Sequence, residues 1–311
     1  MKIIVTGGAG FIGSNLVDRL VLEGNEVVVI DNYITGSKLN RNKEAIYYGI
    51  SILDEKVSEV FENFKPEAVI HLAAQVSVKH SIMKPEFDAN CNILGTISLL
   101  EHCVRHDVKK FILASTAAVY GNPIYLGIDE KHPLCPISQY GVSKLSAERY
   151  TMLYSNIYGI NYCILRYANV YGMKQRMEGD GGVVSIFVNN LINKSPIVIY
   201  GDGTQTRDFI FVDDVVSANI AALERGKNGI FNISTGKPTS VNELVQILTT
   251  ISGIHHTITY KPSRIGDIEH SYLDNTLAIK ELSWRPENSI QQGLEKTIHW
   301  HKTNMNVLLT S

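Results

Sequence analysis

The chain has 311 residues, of which 44% are hydrophobic and 19% charged, and a formal net charge of −2. It is long enough for a large core and two lobes, and too nearly neutral for a general attraction to nucleic acid or an anionic membrane. No apolar run reaches the roughly 20 residues of a membrane span, and Cys91, Cys103, Cys135 and Cys163 have no metal-ligand or disulfide spacing, so a cytosolic protein without a metal is expected.

Lys2 to Thr6 reads as a buried strand, followed by Thr6-Gly7-Gly8-Ala9-Gly10-Phe11-Ile12-Gly13 and a helical stretch from Ser14 to Leu22. Leu16, Val17, Leu20 and Val21 fall on one stripe of that helix. Strand, glycine turn and helix are the context that turns a glycine string into a dinucleotide site. Gly7 permits the tight turn, Gly10 lets backbone N–H groups approach a pyrophosphate, and Gly13 lets helix pack on strand. The helix N-terminus adds the positive end of its dipole. A second strand, Glu26 to Ile30, ends at Asp31, eighteen residues beyond Gly13. A carboxylate there accepts hydrogen bonds from both adenosine ribose hydroxyls and repels a 2′-phosphate, which favours NAD over NADP.

The alternation continues with helix Glu55 to Phe64, strand Ala68 to Ala74, helix Ile93 to His106 and strand Phe111 to Thr116. Strands rich in Val, Ile and Leu between helices predict a parallel sheet covered on both faces, with its ligand crevice beyond the carboxyl ends of the strands. Gln75 and Thr116 fall at such ends. His71, inside an apolar strand, is expected to be a hydrogen-bonded core histidine. On the next helix, Tyr140 and Lys144 lie four residues apart in Gln-Tyr-Gly-Val-Ser-Lys and leave the same face. A phenol titrates near pH 10, and a neighbouring ammonium is expected to lower that value and make a base for an alcohol proton. The helices around Leu99 and Tyr150 are the ones expected to meet a second copy in a homodimer.

These residues carry a resemblance. The chain resembles the extended short-chain dehydrogenases/reductases, and among them the UDP-glucose 4-epimerases, almost end to end. The matching motifs are TGGAGFIG at Thr6 to Gly13, HLAAQ at His71 to Gln75, NILGT at Asn92 to Thr96 and STAAVYG at Ser115 to Gly121. YGVSK at Tyr140 to Lys144, LRYANVYG at Leu165 to Gly172, GDGTQTRDFIFVDD at Gly201 to Asp214, NISTG at Asn232 to Gly236 and RIGD at Arg264 to Asp267 complete them. The resemblance implies an α/β fold, a Rossmann-type doubly wound parallel sheet over residues 1–169. A smaller α/β C-terminal lobe over residues 170–311 would bind the UDP-sugar, with some segments returning to the first domain.

The resemblance further implies Thr116, Tyr140 and Lys144 as the catalytic set, with Lys144 also holding the nicotinamide ribose. Gly7, Gly10, Phe11, Ile12 and Gly13 would hold the NAD pyrophosphate, and Asp31 and Asn32 the adenosine ribose. Ser51 and Ile52 would lie by the adenine, where the family usually has Asp before Ile or Leu. Leu72, Ala73, Ala74, Gln75, Asn92 and Tyr167 would line the path to the nicotinamide. Asn169, Val183, Arg207 and Arg264 would contact UDP, and Asp267 its ribose. Guanidinium groups suit a diphosphate better than lysines do. The competing reading of Arg207 pairs it with neighbouring Asp208 or Asp213. Ser271, four residues beyond Asp267, matches a position near the sugar C2 substituent, where a small residue leaves room for an N-acetyl group.

Related 4,6-dehydratases carry an Asp-Glu pair directly after the Thr, and decarboxylases a Glu in the same turn. Here those positions are Ala117 and Ala118, and a methyl group can neither donate nor accept a proton. What remains is oxidation and reduction at one carbon. Tyr140 would take the 4-hydroxyl proton while hydride leaves C4 for NAD, and return of hydride to the other face of the 4-keto sugar would invert C4. The alternatives are an epimerase for another UDP-sugar such as UDP-glucuronate, a net dehydrogenase or reductase, and a non-catalytic NAD-binding protein on the same scaffold.

Overall fold

The computed structural model describes residues 1–177, 182–253, 257–263 and 267–308. Short apolar runs become the strands of a central sheet, all buried but the third, which is exposed. These are β1 (Lys2–Thr6), β2 (Glu26–Ile30), β3 (Ile46–Tyr48), β4 (Ala68–His71), β5 (Lys110–Thr116) and β6 (Asn161–Tyr167). Between them run α1 (Phe11–Leu22), α2 (Val57–Phe64), α3 (Val78–Met83), α4 (Pro85–Ala89), α5 (Gly95–Arg105) and α6 (Gln139–Tyr158). The second half begins with β7 (Asn169–Tyr171), α7 (Val183–Ile192), β8 (Ile197–Tyr200), β9 (Thr206–Arg207), β10 (Phe209–Phe211) and α8 (Val212–Glu224). It closes with β11 (Gly229–Ile233), β12 (Thr239–Ser240), α9 (Val241–Ser252), β13 (Ile258–Lys261), α10 (Thr276–Leu282) and α11 (Ile290–Leu308).

One seven-stranded sheet has the order β11-β6-β5-β4-β1-β2-β3, and all its neighbours are parallel. The order reverses between β1 and β4, which opens a crevice beyond the carboxyl ends of those strands. This is the expected doubly wound fold. β11, from the second half of the chain, closes the sheet beside β6. The rest of the second half forms three two-stranded pairs, β10 with β7, β12 with β9 and β13 with β8. One apolar core joins β1, α1 and β6 to α7, α8, α9 and α11, while α2, α5 and α6 close a second core on the opposite face.

Two departures from the sequence reading bear on the crevice. β4 stops at His71, three residues early. Leu72 N–H still reaches Thr6 O at 3.1 Å, after which the chain is held by side chains. The helix expected from Ile93 starts instead as a wide π turn, Asn90–Leu94, before α5. That turn carries the buried Asn92 amide to Gln75, accepting from Gln75 N at 2.9 Å and donating to Gln75 O at 3.0 Å. A side chain thus does the work of a strand partner, which periodicity cannot reveal.

Candidate active site

The glycine turn leaves no room for side chains. Gly7 sits at φ +70°, and a Cβ on Gly13 would lie 2.1 Å from Gly7 O. α1 starts at Gly10 without a side-chain cap and with no acid in its first turn, so its first N–H groups and dipole face the crevice unopposed. At the end of β2, Asp31 is buried and accepts from Ala9 N at 2.9 Å and Tyr33 N at 2.8 Å. Asn32 is exposed beside it. Ser51 Oγ accepts from Leu53 N at 3.2 Å, and Ile52 is buried against Gly95. The backbone of Leu72 and Ala73 lies against Gly7, and Ala74 continues to Gln75. The Gln75 amide donates to Ser77 O at 2.9 Å and Asp88 Oδ1 at 2.8 Å. Gly7, Asp31 and the Leu72–Ala73 backbone thus meet at the carboxyl ends of β1, β2 and β4.

Three groups converge where β5 ends. The Thr116 side chain caps the short turn Ala117–Val119, accepting from Ala118 N at 3.2 Å, and is near enough to the Tyr140 hydroxyl to favour its phenolate. α6 is capped by Ser138, whose Oγ accepts from Gly141 N at 3.1 Å, and Tyr140 N donates to Ser81 Oγ at 3.2 Å. A Cβ on Gly141 would stand 2.7 Å from Ala118 O, so this glycine lets the Tyr140 turn press against the Thr116 turn. Lys144 follows one turn later, buried, its ammonium making no hydrogen bond among the described residues.

The electrostatics correct one expectation. Burial pushes the Tyr140 phenol up to about 12; the Thr116 hydroxyl works against this and Asp88 adds to it. Burial also pulls Lys144 down to about 8, opposed by Glu148 and Asp88. Desolvation therefore outweighs the lowering expected from Lys144, because taking either group out of water disfavours its charged form. His71 is the expected core histidine. Nδ1 is bonded to Thr6 Oγ1 at 2.7 Å and Nε2 to Thr96 Oγ1 at 3.1 Å, and burial, helped by the Lys144 charge, holds it at about 3.

Tyr167 stands opposite Thr116 in register, but its ring is buried and its hydroxyl bonds the Asn219 amide oxygen at 3.0 Å. Its backbone, not its phenol, is therefore at the crevice. Asn169 is exposed and its N–H donates to Asp208 O at 2.9 Å. Arg207 pairs with neither Asp208 nor Asp213. Asp208 is buried and accepts from Thr235, Gly236 and Leu273, and Asp213 faces Lys296 at 3.6 Å. The Arg207 guanidinium donates only to carbonyls, Thr206 O at 2.8 Å and Glu269 O at 3.3 Å, with the Asp267 charge nearby. Ser271 N donates to Thr206 O at 3.2 Å, placing Ser271 alongside β9. Val183 opens α7, which has no side-chain cap and no acid in its first turn. Arg264 lies outside the described residues.

A buried polar network behind the catalytic face escaped the sequence reading. Glu148 accepts from Ser115 Oγ at 2.5 Å, Arg166 Nε at 2.9 Å and Arg166 Nη2 at 2.6 Å. Arg166 Nη1 donates to Tyr120 Oη at 3.0 Å, and Tyr120 donates to Asn232 Oδ1 at 2.7 Å. Glu148 did carry a signal, since it continues the four-residue spacing of Tyr140 and Lys144. Asp88 carried none, because the π turn brings its partners to it.

The family model described as NAD dependent epimerase/dehydratase matches residues 3–234. The UDP-glucose 4-epimerase of Mycolicibacterium smegmatis is 38% identical over 309 residues, 97% of this chain and 99% of that protein. A crystal structure of the UDP-glucose 4-epimerase of Thermotoga maritima with UDP-glucose has a TM-score of 0.96 at 44% identity, covering 98% of this chain and 100% of that one. The UDP-N-acetylglucosamine 4-epimerase of Methanobrevibacter ruminantium, in complex with UDP-N-acetylmuramic acid, has a TM-score of 0.94 at 32% identity, over 98% and 99% of the two chains. A doubly wound sheet with a Tyr–Lys helix at its strand ends defines the class, and the chain belongs to the NAD-dependent epimerase/dehydratase family. Within that family it is an isomerase that works with NAD at C4 of UDP-hexoses.

Proposed function

We propose that the chain interconverts UDP-glucose with UDP-galactose, and their N-acetylated counterparts, through a transient 4-keto sugar. One observation carries the reading: the Tyr140 turn of α6 packs against the turn after Thr116, a Cβ on Gly141 coming within 2.7 Å of Ala118 O, and Ala117 and Ala118 follow Thr116 with no acid or base. NAD, held by the glycine turn and Asp31, would supply the hydride acceptor for C4 and the donor for its opposite face. Thr116 orients the 4-hydroxyl, Tyr140 takes its proton and gives one back, and Lys144 stabilises the phenolate. A site with no carboxyl group after Thr116 leaves C5 and C6 untouched.

Gly7, Gly10, Phe11, Ile12 and Gly13 would hold the pyrophosphate, Asp31 and Asn32 the adenosine ribose, and Ser51 and Ile52 the adenine edge. Leu72 to Gln75, with the backbone of Tyr167 and with Asn92 pinning Gln75, would bound the nicotinamide. Residues 1–169 with β11 and α8 form the cofactor half in this reading, and the rest of 170–311 grips UDP. Asn169, Val183, Arg207, Arg264 and Asp267 would hold UDP. Arg207, with no carboxylate within ion-pair distance among the described residues, suits a diphosphate. Ser271 leaves space at C2.

We assign a homodimer built on the outer face of α6, where Val142, Tyr150, Leu153 and Ile157 form an exposed stripe at helical spacing. Leu99 lies in the core instead. All four cysteines are unpaired, and no helix among the described residues is long and apolar enough to cross a membrane; both fit a cytosolic location. The test is to incubate the purified protein, without added coenzyme, with UDP-galactose and separately with UDP-N-acetylgalactosamine. Formation of the matching gluco-sugars supports the reading. A protein inert toward both would end it, and one active only on UDP-galactose would restrict it to the plain hexoses.

A further inference from the structure

Tyr140, Lys144 and Glu148 follow one another at four-residue steps along one face of α6, and all belong to its inward side. Glu148 is 1% exposed and bound from both sides, by Arg166 of β6 through two nitrogens and by Ser115 of β5. Ser115 and Arg166 are cross-strand partners in register, one residue before Thr116 and Tyr167. The carboxylate therefore bolts α6 to the two strand ends that form the floor of the crevice. A buried ion pair is a weak device for stability, since apolar residues of similar volume often serve as well. Its position argues for another role.

Among the described residues the Lys144 ammonium has no hydrogen-bond partner to fix its charge. The titratable groups around it are Tyr140 and Glu148 on α6, Asp88 on α4 and the neutral His71 on β4, with Arg166 of β6 behind Glu148. The other elements packed on α6 turn their groups elsewhere. His80 of α3 stacks on Phe87, Glu101 of α5 accepts from Tyr154 Oη, and His102 stacks on Phe61. Of the two carboxylates, Asp88 is also felt by Tyr140, where it opposes the phenolate. Among these interactions only Glu148 favours the ammonium without also burdening the base.

We propose that Glu148, held by Arg166 and Ser115 one helical turn beyond Lys144 on the same face of α6, is a positioning residue whose fixed carboxylate keeps Lys144 charged behind the base. This rests on the epimerase reading. It predicts that activity at alkaline pH fails when the Lys144 ammonium is lost, and that Glu148 sets where that happens.

Glu148→Gln keeps the shape and the oxygen facing Ser115 but removes the charge. Initial rates with UDP-galactose are measured across neutral to alkaline pH for wild type and variant. The expected result is an alkaline fall in kcat displaced downward by about one pH unit, the scale of one nearby charge, with KM little changed. A folded variant, judged by circular dichroism and bound NAD, whose profile superimposes on wild type overturns the proposal. If Glu148→Gln does not fold, the double variant Glu148→Met with Arg166→Met replaces it, because removing both charges together leaves no ion unpaired. It should show a downward displacement in the same direction but smaller, since the Arg166 charge behind the carboxylate is lost with it, and an unmoved profile overturns the proposal equally. An inactive wild type would instead overturn the epimerase reading and this inference with it.

Discussion

Tyr140 is asked to act as a base from a position where burial holds its phenol at about 12. Its chemistry therefore depends on positive charge arriving beside it, from Lys144 and from the oxidised nicotinamide when bound. Tyr140→Phe keeps the ring and removes the proton acceptor. We expect kcat to fall by at least about 100-fold with UDP affinity unchanged by calorimetry; near-normal turnover would remove Tyr140 from its role. Ser271 is proposed to govern a different choice. Ser271→Tyr should abolish conversion of UDP-N-acetylgalactosamine while keeping UDP-galactose, and a variant that still handles both would show that other residues set the space at C2. His71 bears on stability. Folded, it binds a proton only near pH 3; unfolded, near 6.5. Between these values the unfolded chain holds more protons, so stability contributed by neutral His71 is complete above about 6.5 and drains away as pH falls toward 3. His301, held by burial at about 4, acts in the same direction. His71→Gln should lower the urea midpoint at neutral pH yet flatten its decline in acid, and an unchanged acid slope would refute this assignment.

At the scale of elements, the pieces nearest to local chemistry were legible. β1 and β2 have the bounds their apolar runs indicate, because a strand buried on both faces needs only a short apolar sequence. The glycine turn, Asp31 and the Tyr140–Lys144 face could be read because each is a fixed spacing on one element. What could not be read depends on partners distant in sequence. The stop of β4 at His71 depends on Asn92 holding Gln75, and the Glu148–Arg166 pair joins a helix to a strand by side chains alone. The raised Tyr140 phenol was missed for a related reason. Helical spacing shows that Lys144 is near, but burial decides which term wins, and burial is a property of the assembled fold. The end of β2 carries its own prediction. Asp31 fills the corner where a 2′-phosphate would sit, so dinucleotide released from the denatured protein should be NAD; recovery of NADP would contradict that placement.

For the whole molecule, the two halves of the chain share one core and one sheet, with β11 returning beside β6. In the proposed reading the cofactor cradle and the UDP grip are thus set against each other by packing, not by a linker. The outer stripe of α6 is one apolar surface this arrangement leaves uncovered. Leu153→Glu, a charge placed at the middle of that stripe, should convert a dimer to a monomer by light scattering, and a wild type already monomeric would remove the stripe from consideration. The measurement that bears most directly on the central claim follows the hydrogen at C4. UDP-galactose carrying deuterium at C4 is given to the purified protein without added coenzyme, and the UDP-glucose formed is read by NMR. Oxidation and reduction at one carbon, with hydride held in the site, predicts UDP-glucose that keeps its deuterium at C4. Product that has exchanged that deuterium for solvent hydrogen, or no product at all, would contradict it.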